Sequence, residues 1–309
     1  MISVVIPLYN KEQSIPSTLQ SVLKQTYQDF EIVIVNDGST DHSVEEVAKV
    51  TDPRIRLIHQ KNAGVSAARN RGIEEARGEF VAFLDADDEW KSDYLKTQYE
   101  LTQKYPECSV FACNYEFKDA KGKVTPTIIR KLPFKGKDGI LSNYFEVASC
   151  SHPPICSISI MVKKSAIQSI GGFPVGITHG EDLLTWARLA IENRIAYSKQ
   201  VGSIYCLKAD YGVNSKPKNI PQGNLVGDEL EKLLLSQKLE NRKKELKKYI
   251  GRWYKIRSHI FLRGGERKNA VINMLRALQY QPQEWKLYIY IILLILPVSI
   301  TNYLFKKIA

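Results

Sequence analysis

A chain of 309 residues can hold one large or two modest domains with an ample core, and its 44% hydrophobic and 25% charged residues are an ordinary globular composition. The 5 cysteines are an odd set without a Cys-x-x-Cys pair, which excludes a zinc site of that type and a disulfide framework. Reduced thiols fit a cytosolic setting best. Strand-like sequence begins at Ile2, so we expect no secretory signal.

The net charge of +11 is distributed unevenly along the chain. Residues 1–100 carry a net charge of −6, residues 101–227 carry +7, and residues 228–309 carry +10. A basic C-terminal region of this kind is typical of proteins that bind anionic lipid or nucleic acid. The alternative is a set of helices whose charged faces are merely solvated.

Apolar strands alternate with helices in the N-terminal part of the chain. Short apolar runs predict strands at Ile2–Pro7, Glu31–Val35, Ile55–His59 and Phe80–Leu84. Helices are predicted between them, one beginning at Ser14 and one opening at Gly64. This alternation predicts a doubly wound α/β sheet, in which ligands bind beyond the carboxyl ends of the strands. No G-x-G-x-x-G fingerprint follows the first strand, which disfavours a nicotinamide or flavin dehydrogenase.

Polar loops follow three of these strands and should meet at one edge of the sheet. They are Pro7–Asn10, Asn36–Asp41 and Asp85–Asp88. The third crowds aspartates at the mouth of a buried strand, where repulsion and desolvation cost free energy unless a cation is present. Oxygen-rich sites of this kind suit Mg²⁺ or Mn²⁺. The alternative is a turn that starts a helix, with Asp88 or Ser92 as its cap.

The chain then continues with mixed elements and changes composition. We predict a helix over residues 92–104, a strand at Ser109–Phe117, a hairpin or loop at Lys118–Lys137, a strand at Ser157–Val162 and a short helix at Lys163–Ile170. His152 lies in a predicted loop, where it either touches a ligand or is an ordinary loop histidine. A helix opens at His179–Asp182, and basic helical stretches are predicted at Asp228–Phe261 and Glu266–Gln279.

Residues 287–305 contain no charged residue over 19 positions. That length is at the lower edge of a membrane-spanning helix, and Pro297, Thr301 and Asn302 weaken the case for a span. Aromatic residues at both ends and flanking lysines favour an interfacial position. We therefore predict a monotopic or hairpin-like membrane anchor within residues 285–305, with a single span and a soluble packing helix as alternatives.

Four motifs resemble, in order and spacing, those of the family 2 glycosyltransferases, which have the GT-A fold. They are Val-Val-Ile-Pro7-Leu-Tyr-Asn10, Val35-Asn-Asp37-Gly-Ser-Thr-Asp41, Asn62-Ala-Gly64 with Ala68-Arg69-Asn70-x-Gly72, and Leu84-Asp85-Ala-Asp87-Asp88. The resemblance continues through Gly171-Gly172-Phe173 and Gly180-Glu181-Asp182. It implies a GT-A catalytic domain at residues 1–215, with a nucleotide-binding half (1–95) and an acceptor half (96–215), before a basic helical extension at 216–309.

The resemblance implies roles for the matched residues of the nucleotide-binding half. Asp37 would accept the N3–H of a uracil or thymine base, and Pro7 and Tyr9 would border that base. Arg69 would balance the acidic cluster or touch the nucleotide. Asp85 would approach the ribose or the diphosphate.

Two further pairs of acids would carry the chemistry. Asp87 would ligate the Mn²⁺ or Mg²⁺ ion that bridges the donor diphosphate, and Asp88 would assist it. Asp182 would be the general base that deprotonates the acceptor hydroxyl, and Glu181 would bind the acceptor. Acids at a helix N-terminus are also favoured by the helix dipole alone, which is the alternative. His179 departs from the family pattern.

The resemblance therefore implies an inverting, metal-dependent glycosyltransferase. It would move one sugar from a nucleotide-sugar donor, most simply a UDP-sugar, to a lipid-linked glycan or surface polysaccharide precursor. We expect it at the cytoplasmic face of the inner or plasma membrane, on an anionic lipid surface. The alternatives are a nucleic-acid-binding protein that uses the basic helices, and an inactive scaffold relative. We expect no nucleic-acid partner, because the tail's aromatic residues are not interleaved with its basic ones as a stacking platform.

Overall fold

The computed structural model describes residues 1–177, 179–207, 223–295 and 300. The chain divides into two compact units, Met1–Lys208 and Ala209–Ala309. The predicted boundary between residues 215 and 216 lies outside the described residues.

The first unit begins with strands that alternate with helices, as the apolar runs predict. In chain order the elements are β1 (Ile2–Leu8), α1 (Ile15–Leu23), β2 (Phe30–Asn36), α2 (Ser43–Ala48), β3 (Ile55–His59), α3 (Val65–Glu75) and β4 (Phe80–Phe83). Strand β1 pairs in parallel with β2 on one side and with β4 on the other, and β2 pairs in parallel with β3. Strands β1, β2 and β4 are almost wholly buried, which is why their apolar residues run on without alternation.

The remainder of the first unit extends the same sheet. Its elements are β5 (Glu89–Trp90), α4 (Tyr94–Lys104), β6 (Val110–Lys118), β7 (Val124–Pro126), β8 (Asp138–Ile140), α5 (Tyr144–Cys150), β9 (Ile160–Lys163), α6 (Lys164–Ser169), α7 (Glu181–Glu192) and β10 (Ile195–Cys206). The strand order in the described part of the chain is β3-β2-β1-β4-β9-β6-β10-β5, with β7 on β6 and β8 on β10. Strand β9 is antiparallel to both of its neighbours. The predicted α/β class with a mostly parallel central sheet is confirmed.

Helix α3 packs closely on β1 because it carries a glycine at the contact. A Cβ atom at Gly72 would lie 2.3 Å from Cγ1 of Val5. The Asn70 side chain of the same helix donates to the Phe173 carbonyl and accepts from the Phe173 N–H, both at 2.8 Å. These contacts fix α3 against the strand below it and against the loop before α7, and they set the position of Arg69.

The second unit is helical in its described part. It contains α8 (Leu225–Leu233), a 3₁₀ helix (Gln237–Arg242), α9 (Lys243–Arg263), α10 (Arg267–Tyr280) and α11 (Trp285–Ile295). The prediction of one continuous helical stretch over Asp228–Phe261 is wrong, because helix α8 ends at Leu233 and α9 begins only at Lys243. The Ser236 hydroxyl accepts a hydrogen bond from the Lys238 N–H at 3.3 Å and caps the 3₁₀ helix that follows.

The apolar C-terminal segment is only partly described. Helix α11 covers its first part, and residues 296–299 and 301–309 lie outside the described residues. Among the helices that the structure describes, none has both the length and the apolar character needed to cross a bilayer. The interfacial anchor within residues 285–305 therefore stays a prediction.

Candidate active site

The loops after β1, β2 and β4 are hydrogen-bonded to one another at one edge of the sheet. The Lys11 N–H after β1 donates to the Ser43 hydroxyl at 2.7 Å. The Ser14 hydroxyl donates to the Ala86 carbonyl after β4 at 2.9 Å. The structure thus brings together the three polar loops that follow the strands in sequence.

Asp37 is buried, with 3% of its surface exposed, and holds the loop that precedes α3. One carboxylate oxygen accepts from the Gln60 side chain at 2.7 Å and from the Ala63 N–H at 2.9 Å. The other accepts from the Gly64 N–H at 2.9 Å. A carboxylate has about four acceptor positions, so about one is left over for a donor group on a ligand.

Pro7 and Tyr9 lie at the carboxyl end of β1. Pro7 is half-buried within the strand, whereas Tyr9 is 46% exposed just beyond it. Asn10 adopts a left-handed conformation with φ +51°, which asparagine tolerates better than most residues. Its side-chain oxygen accepts from the Thr40 N–H at 2.8 Å, which ties this loop to the one after β2. An exposed aromatic ring therefore stands on a fixed backbone at this edge.

The buried guanidinium of Arg69 connects the end of β4 with the start of α7. Its Nη2 donates to Oδ1 of Asp85 at 2.7 Å, and its Nη1 donates to Oε1 of Glu181 at 3.3 Å. The Ser157 hydroxyl donates to the other oxygen of Asp85 at 2.9 Å. Arg69 also lies over the Phe173 ring, 5.1 Å from its centroid.

Burial and ion pairing oppose each other at this contact. Burial would raise the pKa of Asp85, but the Arg69 guanidinium outweighs it and holds that pKa below its usual range. Burial would likewise lower the pKa of Arg69, but Asp85 and then Glu181 outweigh it and raise that pKa. Both groups are therefore charged at neutral pH.

Asp87 and Asp88 are placed differently although they are adjacent. Asp87 is about one-quarter exposed and forms an ion pair with the Lys11 ammonium. Asp88 is only 2% exposed, and one of its carboxylate oxygens accepts from the Cys206 N–H at 2.6 Å. Burial, followed by the charge of Asp85, raises the pKa of Asp88 well above its usual range. The sequence alone did not separate these two environments.

The acidic edge fits a divalent ion that is completed by substrate. No group of three or more histidine, cysteine or acidic side chains is arranged to hold a metal within the described ranges of the chain. Mg²⁺ sites commonly use one or two carboxylates together with substrate phosphates, and Asp87 suits such a role because about one-quarter of its side chain is exposed. Asp88 suits it less well, because it is buried against the Cys206 N–H. The metal-binding roles of both Asp87 and Asp88 stay predictions.

Helix α7 opens with Glu181 and Asp182 after Gly180, whose φ of +81° favours glycine at the turn. Oδ1 of Asp182 accepts from the Leu183 N–H at 2.7 Å. Burial, with a smaller contribution from the Glu181 charge, raises the pKa of Asp182 from 3.8 to about 7. The carboxyl is therefore poised to exchange a proton near neutral pH.

Two residues at the site have roles that the sequence motifs did not indicate. Lys11 pairs with Asp87, and Ser157 supports Asp85. Neither carries a signal in the sequence, because Lys11 lies in a loop without periodicity and Ser157 lies at the start of the predicted strand Ser157–Val162, whereas the strand begins only at Ile160. His152 binds the backbone, its Nδ1 accepting from the Ile128 N–H at 2.9 Å, which is the ordinary loop role.

The fold is the GT-A fold of glycosyltransferases. The profile of the family described as Glycosyl transferase family 2 matches residues 3–158, which is half of the chain, and the chain belongs to that family. The structure of TarS from S. aureus in complex with UDP-GlcNAc has the same fold, with a TM-score of 0.70 and 20% identity over 90% of this chain and 81% of that one. The mannosyltransferase PcManGT from Pyrobaculum calidifontis, in complex with GDP-Man and Mn²⁺, has a TM-score of 0.57 and 18% identity over 90% and 75%.

Curated relatives match part of the chain. The putative glycosyltransferase EpsH of Bacillus subtilis is 40% identical over 150 residues, which are 47% of this chain and 43% of that protein. The glycosyltransferase GlyA of Streptococcus pneumoniae is 42% identical over 123 residues, which are 39% of this chain and 18% of that protein. The matches thus span less than half of these relatives' length.

Proposed function

We propose that this protein is an inverting, metal-dependent glycosyltransferase that moves one sugar from a UDP-sugar to a membrane-linked glycan or polysaccharide precursor. The observation that carries the proposal is the Arg69 side chain, which joins Asp85 at the end of β4 to Glu181 at the start of α7. One guanidinium thus couples the acids proposed for the donor to the acids proposed for the acceptor. A displacement between two bound substrates needs both sets close together.

The donor would bind at the ends of β1 and β2. Asp37 would accept the base N3–H at its remaining acceptor position, with Pro7 and the exposed Tyr9 ring beside the base. Support for a uridine nucleotide comes from TarS, which has the same fold and was solved with UDP-GlcNAc. PcManGT was solved with GDP-Man, so the nucleotide has to be tested directly.

The donor diphosphate would lie beside Asp85 and Asp87, with Mn²⁺ or Mg²⁺ held by Asp87 and supported by Asp88. When bound, the ion supplies Lewis-acid stabilisation of the leaving nucleotide diphosphate. The chain itself keeps the Asp85 carboxylate oriented through Arg69 and Ser157. Support for the metal comes from the Mn²⁺ complex of PcManGT.

The acceptor hydroxyl would bind at the start of α7. Glu181 would hold acceptor hydroxyls, and Asp182 would take the proton of the hydroxyl that attacks the anomeric carbon. A carboxyl with a pKa of about 7 is a better base than an ordinary aspartate and remains substantially ionised at neutral pH. A positioned base commonly contributes about 10²–10⁴-fold to the rate. One displacement with one base and no enzyme nucleophile inverts the anomeric configuration.

The C-terminal part would bring the enzyme to its acceptor. We assign residues 1–215 to catalysis, with 1–95 for the nucleotide and 96–215 for the acceptor, and residues 216–309 to membrane association at the cytoplasmic face. The charge of +10 over residues 228–309 supports this assignment, because the cytoplasmic leaflet is anionic.

A panel of UDP-, dTDP- and GDP-sugars tests the proposal by calorimetric binding and by hydrolysis with and without Mn²⁺. We expect Mn²⁺-dependent binding and turnover with a UDP-sugar. The isosteric variant Asp182→Asn should bind the same donor and lose transfer. Binding of none of these donors would contradict the proposal, and salt-dependent DNA binding without donor hydrolysis would favour the nucleic-acid alternative.

A further inference from the structure

A cavity of about 480 Å³ lies in the second unit beside the N-terminal half of α9. One wall carries Lys244, Lys247 and Lys248, which lie on one face of α9 at helical spacing and are exposed. The other wall is residues 279–284, where the chain turns from α10 into α11. The cavity therefore presents three ammonium groups against one carboxylate, that of Glu284.

The cavity wall is a fixed part of the fold. The Gln281 side chain donates to the Lys248 carbonyl at 2.6 Å, which ties the turn to α9. Gly251 allows this approach, because a Cβ atom there would lie 2.6 Å from the Gln281 amide nitrogen. The lysines are thus presented by a supported helix rather than by a free loop.

Exposed aromatic rings follow directly on the cavity. Trp285, the next residue after Glu284, is 63% exposed, and Tyr288 is 47% exposed. Leu287 and Tyr290 on the same helix are buried at 2% and 3%. One face of α11 is therefore packed in the protein, and another presents amphipathic rings to the surroundings beside the lysines.

Positive charge is concentrated around the first turns of α11. Lys255 lies with its ammonium 4.6 Å from the centroid of the Tyr290 ring. Burial, and then the charges of Arg252 and Lys286, lower the pKa of Lys255, although Glu284 opposes the shift. These cations outnumber the one carboxylate beside them, that of Glu284, so an anionic partner would be stabilising here.

We propose that Lys244, Lys247, Lys248, Trp285 and Tyr288 form one surface that binds the phosphate head groups of an anionic bilayer. The lysines of the cavity contact the phosphates, and the two rings enter the interfacial layer, where Trp and Tyr are enriched. Exposed rings distinguish this surface from a site for free phosphate, which needs no apolar contact. The inference rests on the proposed membrane-linked acceptor and names the residues that reach the membrane.

Vesicle co-sedimentation of the full chain tests this surface, with phosphatidylcholine vesicles compared with vesicles that also contain phosphatidylglycerol. We expect binding that requires phosphatidylglycerol and weakens with salt. Changing all three cavity lysines to glutamine should lower binding by at least about tenfold, since each lysine near an anionic surface contributes substantially. Trp285→Ser should weaken binding at every salt concentration, because it removes apolar contact.

A matched control removes the same charge elsewhere in the second unit. Changing Lys232, Lys238 and Lys268 to glutamine should lower binding by less than about threefold if the cavity lysines are the contact, whereas equal losses in both triple variants would overturn the proposal. Wild-type binding by the cavity variant would overturn it as well. Circular dichroism confirms folding, and hydrolysis of a soluble donor should be unchanged in both variants. Vesicle binding tests the membrane surface and donor hydrolysis tests the proposed catalysis, so the two proposals can fail independently.

Discussion

Arg69 and Asp85 form an ion pair of 2.7 Å at the centre of the candidate site, and the arginine side chain is only 4% exposed. The same guanidinium reaches Glu181 at 3.3 Å. The charges of two carboxylates from distant parts of the sequence are thus compensated by one buried guanidinium. Removing that cation leaves both of them without their main compensation.

Arg69→Met should therefore destabilise the first unit by about 3–5 kcal/mol, the range for breaking a buried pair on one side. Urea denaturation followed by tryptophan fluorescence measures the change. Arg71→Met is the matched control, because Arg71 is 45% exposed and pairs on the surface with Glu75, so its removal should cost about 0–1 kcal/mol. Equal losses of stability in the two variants would show that the buried ion pair stabilises the unit no more than the surface pair does.

The Asp182 carboxyl should make stability depend on pH in a defined direction. Its pKa is raised from 3.8 to about 7 by burial, so the folded protein binds this proton more tightly than the unfolded chain does. The resulting stabilisation is complete below about pH 4 and is lost as the pH rises through about 7. Asp182→Asn lacks this loss, so its melting temperature should rise relative to wild type across that window.

Asp52 supplies a control of the opposite sign. Its hydrogen bond to Arg54 lowers the pKa of Asp52 to about 2, so this carboxylate stabilises the fold above about pH 4 and the effect is lost as the pH falls through about 2. Asp52→Asn should accordingly be less stable than wild type at neutral pH and equal to it in strong acid. An Asp182→Asn melting curve parallel to wild type at all pH values would remove the argument for a raised pKa.

Lys11 should compete with a divalent ion for Asp87. Lys11→Met removes the ammonium that now faces the carboxylate, so Mn²⁺ binding without nucleotide should tighten by about threefold or more. Asp87→Asn should weaken it, and calorimetric titration measures both. Lys49→Met deletes a surface partner of Glu46 and serves as the charge-matched control. Weaker Mn²⁺ binding by Lys11→Met would contradict the competition.

Asp37→Asn should loosen the loop before α3 and weaken nucleotide binding together. The amide keeps one acceptor oxygen but brings an NH₂ group against N–H donors, so we expect a loss of about 1–3 kcal/mol in stability. Hydrogen exchange at the Ala63 and Gly64 amides reports the loop, and UDP titration reports the site. Asp41→Asn is the control in the same turn, and exchange at the Ala63 and Gly64 amides should stay unchanged in it, because those amides bind Asp37. Unchanged exchange at these amides in Asp37→Asn would show that Asp37 is not the residue that holds the loop.

Much of the first unit could be predicted because its signals are local. The strand Ile55–His59 has the predicted bounds, and the convergence of three strand ends follows from parallel topology. The different environments of Asp87 and Asp88 could not be predicted, because the hydrogen bond to Asp88 comes from the N–H of Cys206, more than a hundred residues away along the chain. Lys11 was missed for the same reason, since only the folded chain places it opposite Asp87. In the second unit, the apolar spacing across Ser236 is compatible with a helix, so the sequence did not show that one helix ends before Ser236 and a 3₁₀ helix begins after it.

The contact of Gly72 with Val5 restricts how this catalytic unit can vary. A side chain at position 72 forces something to shift, because a Val5 methyl lies 2.3 Å from where its Cβ would be. Alanine at 72 therefore needs a reoriented or smaller side chain at position 5, or a helix that has moved away and taken Arg69 with it. Positions 5 and 72 should then be inherited as a pair, so randomising both together and selecting for activity would recover combinations that neither position tolerates alone.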